Sequence, residues 1–539
     1  MKRPALRRWY PITFAIAALV LLPLCVLLLS WHEVDREIWA HLWDTQLPRL
    51  LGNSLVLVLG VGCGVTLLGV SLAWLTSLCE FPGRRWLDWA LMLPFAIPAY
   101  VLAFVFIGLF DFAGPVQSLL REGFGSGVRL PRVRSTGGVI TVLVLVFYPY
   151  VYLLARSAFL AQGRGLMEAA RTLGLTPWQA FWRVALPMAR PAIGAGLALA
   201  IMETLADFGA VSVFNFDTFT TAIYKTWYGF FSLGSAAQLA SLLLLGVCLV
   251  LYGERRARGV TRPASERPRG AALYHLRGAR AWAASAWCGL VFACAFVIPL
   301  LQLLVWCWQR GRFDLDERYL GLILHSLYLG AMAALITVAV ALLLAFARRQ
   351  EPTRPIRSAV GLANLGYALP GSVLAVAIML AFSWLDRELV VPVSGLLGGA
   401  GKPLLLGSLS ALLLAYLVRF MAVAHGPLES ALARIRPALP EAARSLGVAG
   451  PRLFLRVYLP LLVPGALSAA LLVFVDVLKE MPATLLMRPF GWDTLAVRIF
   501  EMTSEGEWAR ASLPALSLVL VGLLPVVGLI RRSARGFGR

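Results

Sequence analysis

Apolar residues run along this chain in blocks of about twenty, and each block is closed by a short polar or basic stretch. A helix needs ~20 mostly apolar residues to cross the ~30 Å hydrocarbon layer of a bilayer, so each block predicts a membrane span. Spans are expected near 12–30, 51–78, 88–110, 137–158, 189–212 and 235–253. A second set is expected near 281–307, 323–346, 358–384, 404–424, 462–486 and 510–530. The predicted fold class is an all-α polytopic membrane protein with about 12 transmembrane helices.

Composition agrees with this pattern. Of 539 residues, 59% are hydrophobic and 14% charged, whereas a soluble domain carries about a quarter charged residues. A net charge of +21 would suggest nucleic acid for a soluble chain. Its placement points to the bilayer instead. Lys2, Arg3, Arg7, Arg8, Arg84, Arg85, Arg348, Arg349, Arg354, Arg357, Arg531, Arg532, Arg535 and Arg539 crowd alternate ends of the spans. The intervening loops hold acids such as Glu33, Asp35, Glu37 and Asp44. This distribution predicts a multi-pass membrane protein with both termini cytoplasmic. One loop departs from it: 111–135 should be external yet carries Arg121, Arg129, Arg132 and Arg134. No small-residue cleavage site is obvious after Ser30, so the first apolar stretch reads as a span rather than a removed signal. The seven cysteines, Cys25, Cys63, Cys79, Cys248, Cys288, Cys294 and Cys307, lie in or beside spans without metal spacing and read as packing residues.

The chain also repeats itself. Residues 168–194 and 441–467 align without a gap and share twelve of 27 positions, at an offset of 273. "AIPAYVLA" at 96–103 echoes "ALPGSVLA" at 368–375. Three domains are expected: a first half at 1–253, a basic cytoplasmic linker at 254–280, and a second half at 281–539. An even number of spans per half makes the two six-helix repeats parallel, an arrangement that can enclose a pathway between the halves.

The repeated stretches fall in the long loops 159–190 and 425–463, each between the fourth and fifth spans of its half. Glu168-Ala169-Ala170 should start a short helix with an acid favoured by the helix dipole and a small-residue face open to close approach. Gly174 can take a positive φ and end it. Thr176 and Pro177 suit the N-cap and first turn of a second, amphipathic helix. Pro187 marks the start of the fifth span, and Glu441, Ala442, Ala443, Gly447 and Pro460 repeat the design.

Both loops match the signature of bacterial ATP-binding-cassette importer permeases: Glu-Ala-Ala, three residues, Gly, nine residues, an aliphatic, any residue, Leu and Pro. The terms are Glu168, Ala169, Ala170, Gly174, Val184, Leu186 and Pro187, then Glu441, Ala442, Ala443, Gly447, Val457, Leu459 and Pro460. Val in place of the commoner Ile is the one departure. The resemblance implies a type I permease-like fold in which each loop is a coupling helix seated on an ATPase. Two copies of a cytosolic ATPase and an external substrate-binding protein are then expected as partners. The stretches 81–104, 202–228 and 476–500 resemble the fused permeases of ferric-iron importers. Similar fused permeases carry thiamine, phosphonates or other small solutes.

No phosphate-cradling loop is present. In "GLLGGAGKP" at 395–403, Leu396 occupies the first Gly position and Pro403 follows Lys402. The chain is therefore expected to be no enzyme and to hold no cofactor, with ATP and Mg on the partner ATPase. The scattered histidines, His32, His41, His275, His325 and His425, give no metal site. A rival class, the twelve-span secondary transporters, is only faintly suggested by "EFPGRR" at 80–85.

Four acids lie inside expected spans. Glu203 and Asp207 are four apart in the fifth span, which predicts that they share one helix face, and Asp476 and Glu480 stand at the same places of the second half. A charged side chain near the bilayer centre costs roughly 2.5–3.5 kcal/mol on insertion scales, so these positions invite two readings. They line the translocation pathway, where hard oxygens suit a ferric ion in passing with no metal stably bound. Alternatively they are structural, Lys479 pairing with Asp476 and the outer acids capping a helix end. Arg419 is expected to snorkel to the membrane surface.

Overall fold

The computed structural model describes residues 9–537 apart from 126, 128, 258–273, 311–314, 397–401 and 449. The basic N-terminal cluster, most of the 254–280 linker and the centre of the glycine-rich string at 395–403 lie outside the described residues. Nearly all the rest is helix; two short strands, Cys79–Glu80 and Tyr274–His275, pair in parallel and tie the far end of the linker to the turn after the second span.

Among the described residues, eleven helical segments are long and apolar enough to cross a membrane, and Arg354–Tyr367 with Gly371–Leu396 forms a further pair bent by 111°. In chain order the spans are α1 (Trp9–Leu29), α2 (Leu47–Leu78), α3 (Ala99–Phe110), α4 (Thr136–Ala161), α5 (Leu186–Ala206) and α6 (Leu233–Ala257). The second set is α7 (Ala279–Gln309), α8 (Glu317–Gln350), α9 (Gly371–Leu385), α10 (Leu409–Ala433), α11 (Leu459–Lys479) and α12 (Trp508–Phe537).

Two pairs of spans differ from the continuous helices expected. The stretch 88–110 is broken into Arg84–Ala90, a turn at Leu93–Ala96, and α3. The stretch 358–384 breaks likewise into Arg354–Ala363, Leu365–Ala368 and α9. Pro98 and Pro370 stand at the N-caps of α3 and α9 with ψ of 146° and 141°. Proline offers no N–H and pushes the residue before it out of the helical region, and Ile97 and Leu369 are extended accordingly. Similarly α5 stops at Ala206 and α11 at Lys479, each followed by a separate short helix, Gly209–Val213 and Pro482–Met487. The expected spans 189–212 and 462–486 are therefore shorter.

The chain forms two compact units, and these do not follow the two sequence halves. One comprises Ala40–Ala222, Leu243–Leu315 and Arg498–Arg539, the core of the first half with α7 and α12 of the second. Inside it α2 packs along α4 and α5, and α7 lies against α12. Gly60 and Gly64 allow α2 to approach α4 closely, since a Cβ there would fall 2.6 Å and 2.4 Å from Ile140 and Val144. The other unit comprises Met1–Trp39, Ile223–Leu242 and Asp316–Val497. Inside it α8, α10 and α11 pack on one another, and α1 of the first half lies against Arg354–Ala363 and α9. Each half thus supplies its first span to the unit built on the other half's core.

The cysteines described are free thiols. Burial pushes the Cys79 thiol up to about 11, with Arg84 opposing, which leaves it protonated and unreactive near neutral pH.

Candidate functional site

The two repeated loops fold alike. In the first, Glu168, Ala169 and Ala170 lie on the helix Gly163–Thr172. Met167 and Ala170 turn inward, while Glu168 and Ala169 are exposed. This corrects one expectation: the helix begins at Gly163, so Glu168 stands near its middle and not in its first turn. Nothing between Gln162 and Glu168 stops the backbone from coiling. In the second loop Pro437 sets the start of Ala438–Ser445, and Glu441 does lie in the first turn, where the helix dipole favours an anion.

Both helices end on a left-handed glycine, Gly174 at φ 80° and Gly447 at φ 82°. The amide of the following residue reaches back five residues in each copy, Leu175 to the Ala170 carbonyl at 3.1 Å and Val448 to the Ala443 carbonyl at 2.9 Å. These bonds satisfy carbonyls that a helix end leaves open. The turn holds a leucine outward at the same place in each loop: Leu173 is 81% exposed and Leu446 82%. Each loop therefore presents a stiff, blunt projection with small residues on its flank and one apolar tip.

The return segments differ. Thr176 and Gln179 form a reciprocal capping box at 3.3 Å and 3.0 Å, with Pro177 in the first turn. The counterpart of Thr176, Ala449, lies outside the described residues. Phe181 meets the edge of Trp74 at 4.8 Å, and Phe454 meets Phe346 at 5.0 Å, seating both returns on their own units. Pro187 and Pro460 occupy the first turn of α5 and α11, where a missing N–H is harmless.

The four intramembrane acids divide into two kinds. Asp207 and Glu480 do not share a helix face with Glu203 and Asp476, because α5 and α11 stop one residue before them. Each caps the short helix that follows: Asp207 Oδ1 accepts from the Val211 amide at 3.0 Å, and Glu480 Oε1 from the Ala483 amide at 3.0 Å. Their carbonyls accept from threonine hydroxyls, Thr220 at 2.7 Å and Thr484 at 2.6 Å. Glu203 lies within electrostatic reach of Asp207, and Asp476 within reach of Lys479 and Arg419.

Arg419 does not snorkel. It lies midway along α10, 15% exposed, with Nε 3.1 Å from Glu480 Oε2 and Nη1 donating to the Leu369 carbonyl at 3.2 Å. Gly371 makes room for this pair, since a Cβ there would fall 2.3 Å from Glu480 Oε1. A lone arginine in an otherwise apolar span was the available signal, and a buried partner accounts for it better than a distant headgroup. At the other end of the spans, Arg156 grips Asp88 with two bonds of 2.6 Å, and Arg348 pairs with Glu429 at 2.9 Å. Among the described residues no cluster of His, Cys, Asp and Glu could hold a metal ion.

Residues 65–256 match the family described as the binding-protein-dependent transport system inner membrane component. The chain is 30% identical over 199 residues to a probable sulfate transport system permease of Chlorokybus atmophyticus, covering 36% of this chain and 67% of that one. The chain belongs to this permease family. Along nearly its whole length the permease is also similar to the Fe(3+)-transport system permease protein FbpB 2 of Haemophilus influenzae, 27% identical over 527 residues, 94% of this chain and 96% of the relative. The molybdenum transport system permease of Escherichia coli K12 is 27% identical over 228 residues, 42% of this chain and 96% of that one. The permease is thus a multi-pass inner-membrane component of an ATP-driven importer, in a family whose members work with ATPase and substrate-binding partners.

Proposed function

We propose that the permease carries ferric iron across the bacterial inner membrane, delivered by an external binding protein and driven by two copies of a separate ATPase. The single observation that supports this reading best is the pair of matched projections at 168–174 and 441–447, in a chain whose fused, two-half length matches that of an iron permease. One projection serves each ATPase. ATP and Mg belong to those subunits, because this chain has no phosphate-cradling sequence. The basic residues at alternate span ends support a topology with both termini and both projections in the cytoplasm.

Glu203 and Asp476 are the pathway acids in this reading, while Asp207 and Glu480 hold the backbone at the adjoining helix break. Membership of the permease family sets the secondary-transporter reading aside. The sulfate and molybdenum permeases among the relatives favour an oxyanion as the second substrate class. Uptake of radiolabelled iron, sulfate, molybdate and thiamine in a deletion strain decides among them; iron uptake alone should fall. Glu203→Ala combined with Asp476→Ala should then cut iron uptake while the ATPase still co-purifies, and normal uptake would reject the pathway role.

A further inference from the structure

The neck of the first projecting loop, where the chain leaves α4 and returns to α5, is crossed by a side-chain hydrogen bond, and the leaving side of the second neck, past α10, is held by side-chain hydrogen bonds from a neighbouring span. In the first loop Gln162 Nε2 donates to the Ala185 carbonyl at 3.0 Å, joining the residue after α4 to the residue before α5. In the second loop the equivalent positions are Ile435 and Tyr458, which cannot make that bond. Arg349, at the end of α8, instead ties the leaving side of this loop to its own span. Its Nη1 donates to the Leu432 carbonyl at 3.0 Å and its Nη2 to the Ile435 carbonyl at 2.7 Å. The Leu432 carbonyl lies in the last turn of α10, where the helix dipole favours a cation, and the Ile435 carbonyl lies two residues beyond that helix. The position equivalent to Arg349 in the first half is Thr76, whose hydroxyl bonds within its own helix to Leu72 and meets Tyr152.

We propose that Gln162 and Arg349 are positioning residues for the two coupling loops, fastening each neck so that displacement of the projection moves the spans rather than bending the loop. This rests on the coupling role given to the loops above. The fastenings are chemically unequal. The first is a neutral bond inside the loop. The second is a charge-assisted fork from a neighbouring span, and a planar guanidinium reaches two carbonyls at once where an ammonium offers a point charge. Arg348, one residue earlier, pairs with Glu429 at a site about half exposed to solvent; such pairs contribute little. It serves as an internal control.

Hydrogen exchange on the purified full chain in detergent reads the fastening without any ATPase present. Arg349→Gln should speed exchange of the amides at 436–448 by about tenfold and leave 168–176 unchanged, as expected when a charged hydrogen-bonding partner is lost from a locally opening segment. Gln162→Leu should loosen 168–176 by a smaller factor and leave 436–448 unchanged. Arg348→Gln should alter neither, and Arg349→Lys should recover part of the protection. Unchanged protection of 436–448 in Arg349→Gln, or equal loosening in Arg348→Gln, would overturn the assignment. If Arg349→Gln does not fold, Gln162→Leu decides by the same criterion at 168–176. Failure of the coupling role itself would show elsewhere, as retention of the ATPase when the projections are removed.

Discussion

The helix breaks at Asp207 and Glu480 have the same backbone and different chemistry. Both carboxylates stand one residue past a 21-residue helix, cap the next short helix, and receive a threonine hydroxyl on their own carbonyl. Only Glu480 has an arginine paired to it, and that pair is accommodated by Gly371 where the first half has Ala99 and by Arg419 where it has Val146. The break itself therefore needs a carboxylate cap but no cation. The arginine is an addition in one unit, and its loss should be felt in that unit alone.

Arg419→Leu is expected to have the largest effect, because it leaves the Glu480 carboxyl, 5% exposed, without its partner. Removing one member of a buried pair costs about 3–5 kcal/mol. Thermal unfolding of the purified protein should show a large loss, and Arg419→Leu with Glu480→Gln should recover most of it. If the double substitution is no better than the single, the pair is not what holds this break.

Asp207→Ala and Glu480→Ala come next. Each removes a cap, about 1 kcal/mol, but the second also strands Arg419, so Glu480→Ala should cost clearly more in the same measurement. Equal losses would mean that the ion pair adds nothing to the cap. Gly371→Ala should fall in the same range. Its Cβ would fall 2.3 Å from Glu480 Oε1 and 2.7 Å from Arg419 Nη1, and relieving such crowding costs about 1–3 kcal/mol. The reverse exchange in the first half, Ala99→Gly, meets no such pair and should stay within about 1 kcal/mol, the ordinary helix cost of glycine.

How much of this was legible beforehand follows the same division. The repeated loops could be read because their features are local: a glycine that must turn left-handed, a threonine–proline start, and a motif present twice. The ends of α5 and α11 could not. Apolar periodicity continues through "METLADFGA" and "DVLKEMPAT", and only Gly209 and Pro482 hint that the helix has stopped. Asp207 and Glu480 looked like residues on a helix face for that reason, although capping had been one of the roles open to them. Pro94, Pro98 and Pro370 did mark the breaks before α3 and α9, but an apolar run of sufficient length masked them. The assignment of α1 to the unit built on α8–α11 lay beyond sequence altogether. Two related halves present similar apolar surfaces to their outer spans, and burial alone does not say which half a span will cover.

The central claim is that two equivalent projections connect this membrane chain to a separate motor. Replacing 168–174 and 441–447 by flexible Gly-Ser segments and measuring co-purification of the ATPase subunit tests it most directly. The account predicts that association falls by about tenfold or more, because a few exposed residues carry most of the energy of such an interface. ATPase recovered at the level of the unaltered permease would contradict it.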